Sequence, residues 1–408
     1  MDTKTCSRDL AILGGQPAFA DPLHVGRPNI GNRDALMRRL NDLLDRRWLT
    51  NNGPYVRELE QRIAALLGVR HCVLTSSGTA ALEVAIRASG LTGEVIVPAY
   101  TFIATAHALR WLGVTPVFCD IDPHTHNIDP RHLETLLTAR TSGIIGVHLW
   151  GRPCDVELLT AIARRHNLKL LFDAAHAFGC SHRGRMVGSF GLAEIFSFHA
   201  TKYFHTGEGG AVTCNDDGLA DKLRLMRNFG FAEMDTVVEL GTNAKMSEVA
   251  AAMGLTLLED LDELIATNYR NYRLYRDLLG TIAGVEVMTY NDAFKGNYQY
   301  IVLEVEEAVT GLAAADLIAV LRAENVYARR YFYPGCHRME PYRSELAGTG
   351  GARLPVTEDL AARVVCLPTG TAIGAAEISM ICQIMRVATD EGPRLRRRLE
   401  DREHDRRA

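Results

Sequence analysis

Residues 71–122 read HCVLTSSGTAALEVAIRASGLTGEVIVPAYTFIATAHALRWLGVTPVFCDID. Two periodicities alternate in this stretch. HCVLTS, EVIVPAY and TPVFCDID are short apolar runs, predicted as strands. GTAALEVAIRASG and FIATAHALRWLG between them carry helical spacing. Short apolar strands separated by helices predict a largely parallel sheet covered on both faces.

The pattern continues downstream. RHLETLLTAR and VELLTAIARRHN read as helices, SGIIGVHLW and LKLLFDAA as strands. AEIFSFHAT and GGAVTCND close the series as an antiparallel pair. Upstream, RDALMRRLNDLLDRRW has helical periodicity. Past the turn NNGP, a second helix places Leu59, Ile63, Leu66 and Leu67 on one face. After residue 215 come the helix LADKLRLMRNFG and one long helical stretch over 245–280, long enough to bridge two domains. The remainder alternates again, with VEVMTY, YQYIVLEV and ARRYFYP as strands and ADLIAVLRAEN and EISMICQIMRVA as helices. The expected division is 1–265, an N-terminal segment with the large domain, and 266–408, a smaller α/β domain with a charged tail.

The 408 residues are 47% hydrophobic and 23% charged, with a formal net charge of −4. Such a composition is that of a soluble globular chain and carries no basic field for nucleic acid. The mixed tail PRLRRRLEDREHDRRA reads as a solvated helical end. Nine scattered cysteines without a C-x-x-C predict buried free thiols in a reducing, cytoplasmic setting. No apolar run reaches membrane-spanning length.

In open α/β sheets, ligands bind outside the carboxyl ends of the strands. Unusual residues gather there: Ser76–Thr79, Pro98–Phe102, His148 and Trp150, Asp173, and Ser197–Lys202. SSGTAAL, at a strand-to-helix junction, can bring backbone N–H groups to an anion, or simply cap a helix through Ser77 or Thr79. Asp173 ends a very apolar strand, where a carboxylate needs a partner. That partner is a cationic ligand nitrogen, or Asp173 is an ordinary loop cap. His176 can bond the same ligand or be a satisfied core histidine. Lys202 alone cannot be told from a surface charge. GEGG after it is neither a G-x-G-x-x-G nor a Walker loop. His199 and His205, six apart across a turn, do not form a metal motif, and no metal is expected. Taken together, an anion cradle, a carboxylate for a ring nitrogen, a rim aromatic and a lysine suit pyridoxal 5′-phosphate, with the lysine as covalent anchor.

The motifs SSGTAAL, VPAYTFIAT, VHLWGRP, FDAAHAFG, FSFHATK, GEGGAV and GTNAKMSE make the chain similar to the DegT/DnrJ/StrS sugar aminotransferases, of fold type I among pyridoxal phosphate enzymes. HLWGRP, GTNAKMSE, YFYPGCHRMEPYR and LPTGTAIG carry a narrower resemblance, to the branch that aminates C4 of dTDP-4-keto-6-deoxyglucose. The resemblance implies Lys202 as Schiff-base lysine and proton shuttle, and Asp173 as partner of the pyridine nitrogen. It implies His176 near the ring hydroxyl, Phe102 stacked on the ring, and Gly78, Thr79 and Ser197 on the phosphate. Asn243 is expected to reach the phosphate of a neighbouring subunit in a homodimer with shared sites, and His337 to lie near the nucleotide-sugar. An amino acid, glutamate, is the expected donor. The family's commoner G-Y-N-Y-R-M appears here as GTNAKM, which keeps the asparagine and loses a tyrosine and an arginine. A C3-acting aminotransferase, a dehydratase and a non-catalytic regulator are the alternatives. Relatives that dehydrate carry histidine at the anchor, so Lys202 favours transamination.

Overall fold

A computed structural model describes residues 4–348 and 351–407, the side chains up to residue 400. Seven strands form the main sheet: β1 (His71–Thr75), β2 (Glu94–Pro98), β3 (Thr115–Cys119), β4 (Thr141–Val147), β5 (Lys169–Asp173), β6 (Ala193–Ser197) and β7 (Gly210–Cys214). Their order is β1-β7-β6-β5-β4-β2-β3, and β7 alone runs against the rest. Val95, Ile96 and Val97 are all fully buried, as a strand covered on both faces requires. The parallel sheet and its closing antiparallel pair, β6 with β7, therefore follow the alternation in the sequence.

A second sheet has three antiparallel strands, β8 (Val285–Val287), β9 (Ile301–Val305) and β10 (Val364–Leu367), with β9 central. The helices Leu261–Leu279 and Ala375–Asp390 pack together beside it. The N-terminal segment also belongs to this side. Leu23–His24 pairs in parallel with Val326–Tyr327, and the buried Lys4 ammonium lies 3.0 Å from Glu324.

Three expected elements differ. The helical stretch over 245–280 is two helices, Glu248–Glu259 and Leu261–Leu279, separated at Asp260. The Asp260 carboxylate there accepts the N–H of Asn32 at 3.1 Å, a polar side chain turned to loop backbone at a helix end. RHLETLLTAR forms only the short helix Pro130–Thr135. ARRYFYP is not a strand. After one bridge, Arg329 to Cys366, the chain turns, with Gly335 N–H donating to Phe332 C=O at 2.7 Å. Pro334 has no N–H to offer a ladder.

All nine cysteines are free and eight are buried. No described helix is long and apolar enough to cross a membrane.

One buried pair braces the sheet. His148 Nδ1 accepts the Cys154 N–H at 3.0 Å, so its Nε2–H faces Glu194, 2.8 Å away. The second Glu194 oxygen takes the N–H groups of Gly188 and Phe190. Both side chains are wholly inaccessible. Glu194→Ala leaves three buried donors without an acceptor and is expected to cost roughly 3–5 kcal/mol, read from urea unfolding. A loss below about 1 kcal/mol would show that the pair is dispensable.

Candidate active site

A cavity of about 350 Å³ opens at the carboxyl ends of β1, β5 and β6. Seven of the predicted site residues line it: Gly78, Thr79, Phe102, Asp173, His176, Ser197 and Lys202. They come from four separate strand ends, brought together by the parallel order of the sheet.

One wall is the start of the helix Gly78–Ala88. Ser77 caps it, its hydroxyl accepting the Ala80 N–H at 3.1 Å. Gly78 is required by close approach, since a Cβ on it would lie 2.7 Å from the Ser197 Cβ. The free N–H groups of this first turn, with Thr79 and Ser197 beside them, form a seat for an anion.

Asp173 lies opposite, 5% exposed. Its carboxylate accepts the Thr105 hydroxyl at 2.8 Å and the Ala175 N–H at 3.1 Å. Burial pushes its pKa up, against these bonds and the charge of Lys202. A cationic partner placed in the cavity would offset that cost.

Lys202 borders the same space. Its Nζ donates to the Tyr300 hydroxyl at 2.8 Å. Burial lowers its pKa to about 8, with the Asp173 charge opposing. A neutral, nucleophilic amine is thus available near neutral pH. In the cofactor-free protein, the rate at which Lys202 condenses with a simple aldehyde should rise about tenfold per pH unit below pH 8 and level off above it. A rate still climbing at about pH 10, as for an ordinary lysine, would contradict this environment.

His176 is held by backbone. Its Nδ1 accepts the Trp150 N–H at 3.3 Å, which leaves the proton on Nε2. Burial, and secondarily Lys202, pushes its pKa well below the ordinary value, so the ring is neutral. Trp150 stacks on it, ring centres 5.7 Å apart, and is fully buried with φ 60° and ψ 11°. A left-handed non-glycine residue costs roughly 1–3 kcal/mol, and that turn is what aims the N–H at His176. Phe102 lines the cavity and is 56% exposed, and among the described residues its one ring contact is edge-on with Phe332.

Two predicted residues lie elsewhere. Asn243 is exposed, on a segment that borders β1 through Ser76 N–H to Ala244 C=O at 2.8 Å. His337 is buried outside the lining of the cavity, with Nε2 3.1 Å from Glu358. From its loop, Arg329, Tyr331 and Phe332 reach the cavity instead, joined by Tyr300 from beside β9. The aromatic density of NYQY and RRYFYP was the only signal of these four in the sequence. The two histidines of FSFHATKYFH separate. His199 lines the cavity, with Nδ1 2.8 Å from the Thr201 hydroxyl. His205 is structural: its Nδ1 accepts the Gly207 N–H, and its Nε2–H donates to Asn29 C=O at 2.7 Å. Among the described residues, no cluster of three or more His, Cys, Asp or Glu side chains could hold a metal.

The chain is similar to known proteins over most of its length. A dTDP-4-amino-4,6-dideoxy-D-glucose transaminase from Shigella dysenteriae is 37% identical over 90% of this chain and 98% of its own length. A GDP-perosamine synthase from Caulobacter vibrioides is 37% identical over 77% of this chain and 88% of its own. The crystal structure of DesI, determined in the presence of its TDP-sugar product, superposes with a TM-score of 0.92 at 51% identity, covering 96% of this chain and 99% of that one. The model of one aminotransferase family matches residues 32–386. With that match running through every wall of the cavity, the chain belongs to the DegT/DnrJ/EryC1/StrS aminotransferase family.

Proposed function

We propose that this chain is a pyridoxal 5′-phosphate-dependent nucleotide-sugar aminotransferase that moves an amino group from an amino acid, glutamate, to C4 of dTDP-4-keto-6-deoxy-D-glucose. The observation that carries the reading is one cavity holding a lysine of lowered pKa, a buried carboxylate and a helix start. The close approach of Gly78 to Ser197 leaves the helix start open to a phosphate. DesI, with its TDP-sugar product, supports a thymidine-linked substrate over a GDP-linked one.

When bound, the cofactor supplies an electron sink for the carbon that loses its proton. The chain supplies the rest. The N–H groups after Ser77, with Thr79 and Ser197, would hold the phosphate. The Asp173 carboxylate would keep a proton on the ring nitrogen. His176 would offer Nε2–H to the ring hydroxyl, and Phe102 would lie against the ring. Lys202 would anchor the cofactor covalently and, once displaced by the amino donor, would carry a proton from the donor's α-carbon to the carbon it had held, two atoms away across the nitrogen. Tyr300 accepts a hydrogen bond from that amine and so limits its swing.

A homodimer with shared sites fits the surface. The segment of Asn243 is flanked by the exposed apolar side chains Phe229, Val238 and Leu240, and Asn243 would complete the phosphate seat of the partner. We place the division of the chain at residue 265, within the helix Leu261–Leu279, with residues 4–24 packed on the C-terminal side.

The test is to incubate the protein with cofactor, glutamate and the TDP- and GDP-linked 4-keto-6-deoxy sugars, and to solve each product by NMR. Nitrogen on C4 of the TDP-sugar is expected. Nitrogen on C3, or no amino sugar from any substrate, would refute the assignment.

A further inference from the structure

Trp150 is joined to a second buried residue with the same unusual backbone, His126, at φ 60° and 1% exposed. The indole Nε1–H donates to His126 Nδ1 at 3.2 Å. An indole can only donate, so the His126 proton sits on Nε2, 2.9 Å from Glu304 Oε1. The other Glu304 oxygen takes the guanidinium of Arg363. Burial works against an ionised Glu304, yet the His126 bond and Arg363 hold its carboxyl below the usual range. Asn127 grips the same turn from the backbone side. Its Oδ1 accepts the Leu149 N–H, and its Nδ2 donates to the carbonyls of Arg152 and Pro153, each at 3.1 Å.

We propose that the His126–Glu304 pair is a positioning device for His176: by holding the Trp150 indole, it maintains the strained turn that aims the Trp150 N–H at His176 Nδ1, and so fixes the imidazole as its Nε2–H tautomer. The chain of bonds is not a proton wire, because the indole cannot accept a proton from either side. His126, Glu304 and Trp150 are therefore assigned no chemical step. Among the described residues, no other hydrogen bond selects between the two tautomers of a neutral His176. The titratable groups facing it are Lys202 and Tyr300, the latter with its ring centre 4.5 Å away. The consequence for the reaction rests on the function proposed above, since only the Nε2–H form donates to the ring hydroxyl there.

The test reads tautomers in the cofactor-free full chain, from ¹⁵N spectra of histidine-labelled protein with the His176 signal assigned by His176→Asn. His126→Gln keeps an acceptor for the indole and a donor for Glu304. His126→Leu removes both. Trp150→Phe removes the indole N–H with part of the ring and leaves the His126–Glu304 pair, so it reports even if His126→Leu fails to fold. The wild type and His126→Gln should show Nε2–H alone, and His126→Leu and Trp150→Phe a mixture. With cofactor added, the pH midpoint of the visible band should hold in His126→Gln and move by about one unit in the other two. A single tautomer in Trp150→Phe, or mixing in His126→Gln equal to that in His126→Leu, overturns the proposal. A wild type that keeps one tautomer but develops no visible band supports the positioning role while removing the proposed function.

Discussion

Lys202→Ala is expected to lower turnover by about 10⁴-fold or more and to abolish the visible band of the lysine-bound cofactor. Under the proposed function two roles fall together, because one amine would both anchor the cofactor and carry the proton. The hydroxyl bonded to the amine offers no substitute. Tyr300, the neighbour bonded to Nζ, has its pKa pushed well above the ordinary value by burial. Its hydroxyl therefore stays protonated and cannot act as the base. His199 lines the same cavity but is tied to the Thr201 hydroxyl. The cofactor should still be retained by the phosphate seat and by Asp173. Dialysis followed by absorbance separates loss of the band from loss of the cofactor. A variant with more than about 1% of wild-type turnover would mean that another group moves the proton.

Asp173→Asn is expected to reduce kcat by roughly 10²–10³ while the folded state is no less stable. The sign follows from burial. The folded pKa of Asp173 is raised, so ionising it costs folding free energy that grows as pH rises past the unfolded value. Asparagine removes that cost. It keeps one acceptor for the Ala175 N–H, and its amide can reach the Thr105 hydroxyl. Thermal melts at neutral pH should therefore show an unchanged or higher midpoint beside the collapsed rate. A fall in both together would show that Asp173 serves the fold and not the ring nitrogen.

Parts of the site were legible because a parallel sheet is a local code. Gly78, Phe102 and Lys202 each follow a strand by a few residues and Asp173 ends one, so strand periodicity alone brings them to one rim. Tyr300, Tyr331 and Phe332 follow no such rule. They arrive from beside the second sheet, 98 to 130 residues after Lys202, and their register depends on how two sheets pack. The same limit applies to the histidines. His205 and His199 share one short motif, yet the partner that separates them, Asn29, comes from the far N-terminal side. The break at Asp260 was hidden for a related reason. Helical periodicity runs through it, and the competing N–H belongs to Asn32.

Asn29 has a further consequence, for the order of events during synthesis. It accepts from His205, donates to the Tyr203 carbonyl at 2.8 Å, and takes the Thr371 hydroxyl at 2.6 Å. A residue made early thus waits for partners made near the middle and near the end of translation. The main sheet, complete by residue 214, can form while the ribosome is still working, but the loop carrying Lys202 cannot be locked until residue 371 has emerged. Long-range closures of this kind are slow steps in folding. A nascent chain arrested before residue 371 should therefore hold a folded sheet and a Lys202 loop that a protease still cuts.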